Sequence, residues 1–147
     1  MRSGLLLCAT LGIAACAPKE QAGTAAGGGP GQNLVGTWEG RSYRDASDTG
    51  IPWRSIIARA PDGTIRGTLM FTDIVAGPVP IRVREASGST VVQELGPYHS
   101  PSVDRDVITK ATGAVKGDSL TGSYEMRPAE GGDAILKGTF RAKKVAS

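Results

Sequence analysis

The sequence predicts an all-β domain built as an eight-stranded up-and-down antiparallel barrel, and three observations carry that prediction. From Leu34 onward, apolar and polar residues alternate in short runs, the period of a strand with one buried face. Turn signals divide the runs: Asp62-Gly63, Ser87-Gly88, Gly117-Asp118 and Gly131-Gly132-Asp133 supply the positive φ angles that tight hairpins require. The chain also holds 21 glycines against two Trp, three Tyr and two Phe, a composition of short strands and tight turns rather than long helices. A two-sheet β-sandwich is the alternative for the same strands.

Alternation places the strands at 34–43, 53–60, 64–72, 79–86, 89–95, 106–116, 119–127 and 134–144. Four of them share a pattern of aliphatic, any residue, Gly, Thr or Ser, bulky apolar. It is written Leu34-Val35-Gly36-Thr37-Trp38, Ile65-Arg66-Gly67-Thr68-Leu69, Leu120-Thr121-Gly122-Ser123-Tyr124 and Leu136-Lys137-Gly138-Thr139-Phe140. Side chains alternate along a strand, so the aliphatic residue, the glycine and the bulky residue share one face. That inner face carries Leu34, Trp38, Ile65, Leu69, Phe71, Leu120, Tyr124, Met126, Leu136 and Phe140, while Arg66, Glu125, Lys137, Arg141 and Lys143 fall on the other. Glycine inside a strand marks a bend or a close approach of backbones, and bends are how a sheet closes on itself. Closure also removes exposed strand edges.

The 17 basic and 14 acidic residues nearly balance. No Lys/Arg run with interleaved aromatics is present, so no nucleic-acid partner is expected.

Ahead of the strands, 1–15 has the composition of a secretory leader: Arg2 is the positive start, Gly4 to Ile13 an apolar stretch, Ala14 and Ala15 the small residues before a cut. The end of this stretch, Ile13-Ala14-Ala15-Cys16, resembles the lipobox of bacterial lipoproteins. The resemblance implies cleavage before Cys16 and acylation of that cysteine, which makes a lipid on Cys16 the membrane partner. Two or three buried acyl chains give lasting attachment where one is marginal, at about 0.8 kcal/mol per methylene. Ala17, in place of the Asp that retains such proteins in the inner membrane, implies export to the outer membrane, facing the periplasm. An ordinary cleaved signal peptide with Cys16 as a bystander is the alternative. Cys8 leaves with the leader, so no internal disulfide is expected. The stretch 16–33 then reads as the attachment cysteine plus a Gly/Ala/Pro linker spanning roughly 20 to 25 Å, and 34–147 as the barrel domain.

Gly36-Thr37-Trp38 on the first strand resembles the Gly-x-Trp of calycins, the lipocalins, fatty-acid-binding proteins and avidins. With Asp62-Gly63-Thr64-Ile65-Arg66-Gly67-Thr68 it looks most like the first hairpins of avidin-type barrels. The resemblance implies an up-and-down barrel that takes a small molecule inside. Gly40 stands where avidins have an Asn, and Trp53 is the one other tryptophan, so biotin binding is not carried over; Thr72-Asp73-Ile74 only partly matches the Thr-Asp-Tyr element of lipocalins.

Candidate chemistry falls in four places. Asp48-Thr49-Gly50 spells the aspartic-protease triplet, but polar residues rather than apolar strands precede it, so a Gly-terminated loop is the better account. The segment 96–106 is the longest expected loop and holds Tyr98, His99, Ser100, Asp104, Arg105 and Asp106, with Tyr98, His99 and Arg105 as interaction candidates. Its Ser, His and Asp are triad residue types without a Gly-x-Ser-x-Gly elbow, and a single His without a cysteine partner argues against zinc. Trp38, Tyr124, Phe140 and Trp53 are the candidates for lining a ligand pocket, and eight-stranded barrels occur both filled and hollow. Outward Arg66, Arg82, Arg84, Lys137, Arg141 and Lys143 form either a basic binding side or the ordinary charged face of a sheet.

The expectation is therefore a non-enzymatic, membrane-anchored module that binds a small apolar ligand, with no cofactor and no metal. The alternative is an envelope protein-interaction or hydrolase-inhibitor module acting through the loops 44–52 and 96–106.

Overall fold

The computed structural model describes residues 29–145; the leader, Cys16 and most of the linker lie outside them. A short 3-10 turn, Gln32–Leu34, leads into eight strands: β1 (Gly36–Tyr43), β2 (Ile51–Arg59), β3 (Ile65–Phe71), β4 (Val79–Ser87), β5 (Thr90–Ser100), β6 (Arg105–Lys116), β7 (Ser119–Pro128) and β8 (Leu136–Val145). Each pairs antiparallel with the next, and β8 returns to β1 along Thr37↔Val145 through Tyr43↔Thr139, closing an up-and-down barrel. Among the described residues the strands form one closed sheet and not two facing layers, which excludes the sandwich.

The expected inner face is the observed one. Trp38, Ile65, Leu69, Leu120, Met126 and Phe140 are buried, and their exposed chain neighbours Glu39, Arg66, Met70, Thr121, Arg127 and Arg141 point outward. Leu34 is buried too, but it ends the 3-10 turn instead of starting β1.

The inward glycines seat aromatic rings. A Cβ on Gly40 would lie 2.6 Å from Cζ2 of Trp53, one on Gly122 2.8 Å from Cζ of Phe140, and one on Gly138 2.7 Å from the Tyr124 ring. The space left by a missing side chain is thus taken by a neighbouring ring, the arrangement that lets bent strands keep a filled surface. At Gly138 the missing Cβ would also stand 2.1 Å from the Tyr43 carbonyl oxygen, so β8 and β1 could not approach as they do with any side chain there.

The two ends of the barrel differ. Turns 60–64, 88–89 and 117–118 lie at the end where β1 starts, and the chain segment before β1 fills it. Trp38 is fully buried and donates its indole N–H to the Leu34 carbonyl at 2.8 Å. Lys144 Nζ lies 5.3 Å from the centre of the Trp38 ring and donates to the Asn33 carbonyl. Arg59 adds bonds to Pro30 and Gly63. Removing a tryptophan's 150–250 Å² from water is favourable by on the order of 4–6 kcal/mol before entropy is counted, so this plug is a main site of stability. The longer connections 44–50, 72–78, 101–104 and 129–135 surround the other end.

One expected loop is corrected. Tyr98 and His99 belong to β5 and Arg105 starts β6, so 96–106 is a hairpin with a four-residue connection at 101–104. Gly96, at φ +107°, and Pro97, which has no N–H, are absorbed in a bulge where the register shifts between Leu95 and Tyr98. Gly and Pro in sequence signal a turn, but a bulge takes the same residues without ending the strand.

Replacing Gly138 by Ala is expected to destabilise the fold by about 1–3 kcal/mol, as overpacking against backbone does. Gly88→Asn, at a turn with open space and a left-handed angle that Asn tolerates, stays within about 1 kcal/mol. Urea denaturation of the two variants checks the difference.

Candidate functional site

Above the plug the barrel is not filled. A cavity runs down from the long-loop end, bordered by Ile51, Phe71, Ile74, Met126 and Leu136 at its mouth and by Trp53, Leu69, Ile81, Leu95, Leu120 and Phe140 further in. Its volume open to the centres of water molecules is about 80 Å³. A single water needs at least about 10–15 Å³ on that measure, so the space holds several waters or part of a small molecule.

Aromatic side chains shape the wall in two pairs. Trp53 and Phe140 have ring centres 6.5 Å apart at a tilt of 58°, and Phe71 and Tyr98 are 6.3 Å apart at 42°. These separations and angles are those of tilted aromatic contacts, which hold ring orientation better than aliphatic packing does. Trp53 is further held by its indole N–H, which donates to Ser42 Oγ at 2.9 Å.

Polar groups also reach the cavity, from strand positions of inward parity. Ser55, Gln93, Ser100 and Thr109 are all more than nine-tenths buried and all border it. Thr109 Oγ1 lies 3.3 Å from the Tyr98 hydroxyl. Every side-chain nitrogen or oxygen sealed from solvent among the described residues has a hydrogen-bond partner. The Gln93 amide and the Ser55 hydroxyl bond to no other described residue, so these groups face the open volume. Sequence reading passed over them, although Val91-Val92-Gln93-Glu94-Leu95 and Trp53-Arg54-Ser55-Ile56-Ile57 put Gln93 and Ser55 on the same parity as their buried neighbours. A polar residue in step with apolar ones was the available signal.

Charge is confined to the rim. Arg44 and Asp48, on the β1–β2 loop, are the charged side chains that border the cavity among the described residues. They form an ion pair at 4.0 Å. Asp48 accepts the backbone N–H of Arg44 at 2.9 Å and of Gly50 at 2.9 Å, and these bonds hold its carboxyl below the ordinary range. The Asp48-Thr49-Gly50 triplet is therefore a loop clasp.

The four ligand candidates separate. Trp53, Tyr124 and Phe140 line the cavity, whereas Trp38, in the plug, does not border it. Of the interaction candidates, Tyr98 points inward, while His99 and Arg105 lie outside. His99 is 60% exposed and sits 3.4 Å from Asp104 and 3.3 Å from Asp106. Ser100, buried on the inner face, is next to it in sequence but on the opposite side of the strand, so Ser, His and Asp do not converge. The outward cations are mostly engaged with neighbours. Arg66 pairs with Asp62, Arg84 with Glu94 and Lys137 with Glu125. Arg141 lies over the Tyr43 ring, and Lys143 donates to Ser119. Exposed pairs of this kind contribute about 0–1 kcal/mol each, and they leave no continuous free basic face on β7 and β8.

Comparison with protein-family models, with curated proteins and with solved structures finds no match to this chain.

Burial pushes the Tyr98 hydroxyl above its ordinary pKa of 10.0, with the Thr109 hydrogen bond pulling the other way. The folded state then holds the proton more tightly than the unfolded state. Its contribution to stability is complete below 10.0 and is lost as pH rises through the folded value. Thr109→Val is expected to move this ionisation still higher, read by ultraviolet absorbance titration against Tyr98→Phe.

Proposed function

We propose that this protein is a non-enzymatic binding module of calycin-like type, held at the outer membrane by a lipid on Cys16 and taking a small amphipathic ligand into its barrel. The observation that carries the reading is the cavity itself, which is open at one end, apolar along most of its wall and supplied with a few buried polar groups. That combination is the usual make-up of a small-molecule site, in which apolar walls give affinity and a few placed polar groups give orientation. The segment Gln32–Leu34 enters at the plugged end.

Native mass spectrometry of the protein purified from its own membrane fraction tests both halves. The expected spectrum shows a chain beginning at Cys16 with added acyl mass, and a second mass lost on mild activation that corresponds to a bound small molecule. A chain cleaved at Cys16 without acyl mass overturns the anchor. A ligand-free spectrum overturns the binding role.

A further inference from the structure

We propose that the barrel selects an uncharged amphiphile, one whose neutral hydrogen-bonding group, an amide or a hydroxyl, is received inside the cavity by the Gln93 amide. The inference rests on the binding role proposed above and names the ligand chemistry for it. Gln93 is 6% exposed and Ser55 3% exposed, both border the cavity, and their side-chain polar atoms, which bond to no other described residue, open onto it rather than being sealed from solvent. A ligand that displaces water from such groups must return the hydrogen bonds it takes away. An amide offers two donors and an acceptor, and a hydroxyl offers one donor and accepts as well. The Gln93 amide therefore complements a group that both gives and takes hydrogen bonds.

Charge at the same place is disfavoured. Among the described residues the inner wall offers a carboxylate no cation and an ammonium no anion, because Arg44 and Asp48 stand at the rim, paired with each other, with side chains 54% and 21% exposed. An ionised group drawn down to Gln93 leaves water for apolar side chains and neutral dipoles alone, a transfer that is unfavourable without a counter-charge. The apolar wall that includes Trp53 and Phe140 takes the apolar part of the molecule.

The test is a matched series of six-carbon probes, hexanamide, 1-hexanol, hexanoate and hexylammonium, titrated into the full chain at neutral pH. Binding is followed by the side-chain amide resonances of Gln93 and the indole resonance of Trp53. Hexanamide and hexanol are expected to bind at least about tenfold more tightly than either ion and to shift the Gln93 amide signals. Gln93→Leu is expected to weaken hexanamide about tenfold. Gln93→Glu, nearly isosteric, is expected to turn the preference toward hexylammonium, and it keeps the test open if the leucine variant does not fold. Equal affinity across the four probes, or a preference for hexanoate, overturns the selectivity while leaving the binding role standing. Failure of all four probes to move the Trp53 and Gln93 resonances overturns the binding role and the selectivity with it.

Discussion

The pairing of β8 with β1 is the constraint on which the rest of the molecule depends, because it converts a meander with two raw edges into a surface with an inside. Without it, the inward residues of β1, β2 and β8 would face water on an open sheet, and neither plug nor cavity would exist. The pairing needs backbones closer than side chains permit, and the chain meets that need where Gly138 passes the Tyr43 carbonyl. The same glycine admits the Tyr124 ring, so closure and the lining of the cavity come from one omission of a Cβ.

Closure also makes the two ends distinct. Short turns and the segment before β1 seal one end around Trp38, which is held by a carbonyl acceptor below it and a lysine across its face. Packing of that density tolerates little change in volume. The other end is bounded by longer connections, and its interior keeps space because inward positions there carry Ser, Thr and Gln beside the aromatic rings. A barrel that is packed below and hollow above keeps an interior space without giving up the core that stabilises it.

Much of the fold was legible in the residues. Period-two alternation named the inner face of β3, β7 and β8 side chain by side chain, and Gly-containing dipeptides marked the short hairpin turns, since both signals are local. The candidate site was less so. Trp38 and Trp53 are equally inward by parity, yet one is sealed in the plug and the other lines the cavity, because depth along the barrel axis has no period in sequence. Gly96-Pro97 reads as a turn, and only the continued ladder of β5 with β6 shows a bulge. Gln93 was in phase with Val91 and Leu95 but unremarkable until seven other strands enclosed it.

By itself the sequence determined the number and order of the strands and the face each side chain presents, because these follow from contacts between residues close along the chain. It also carries the lipobox-like Ile13-Ala14-Ala15-Cys16, which lies outside the described residues. The tertiary structure decided for the expected barrel over the sandwich, and it alone showed which end is plugged and which inward residues meet empty space. Those outcomes depend on residues far apart in sequence, Tyr43 with Gly138 and Lys144 with Asn33, brought together by the one step that alternation cannot announce.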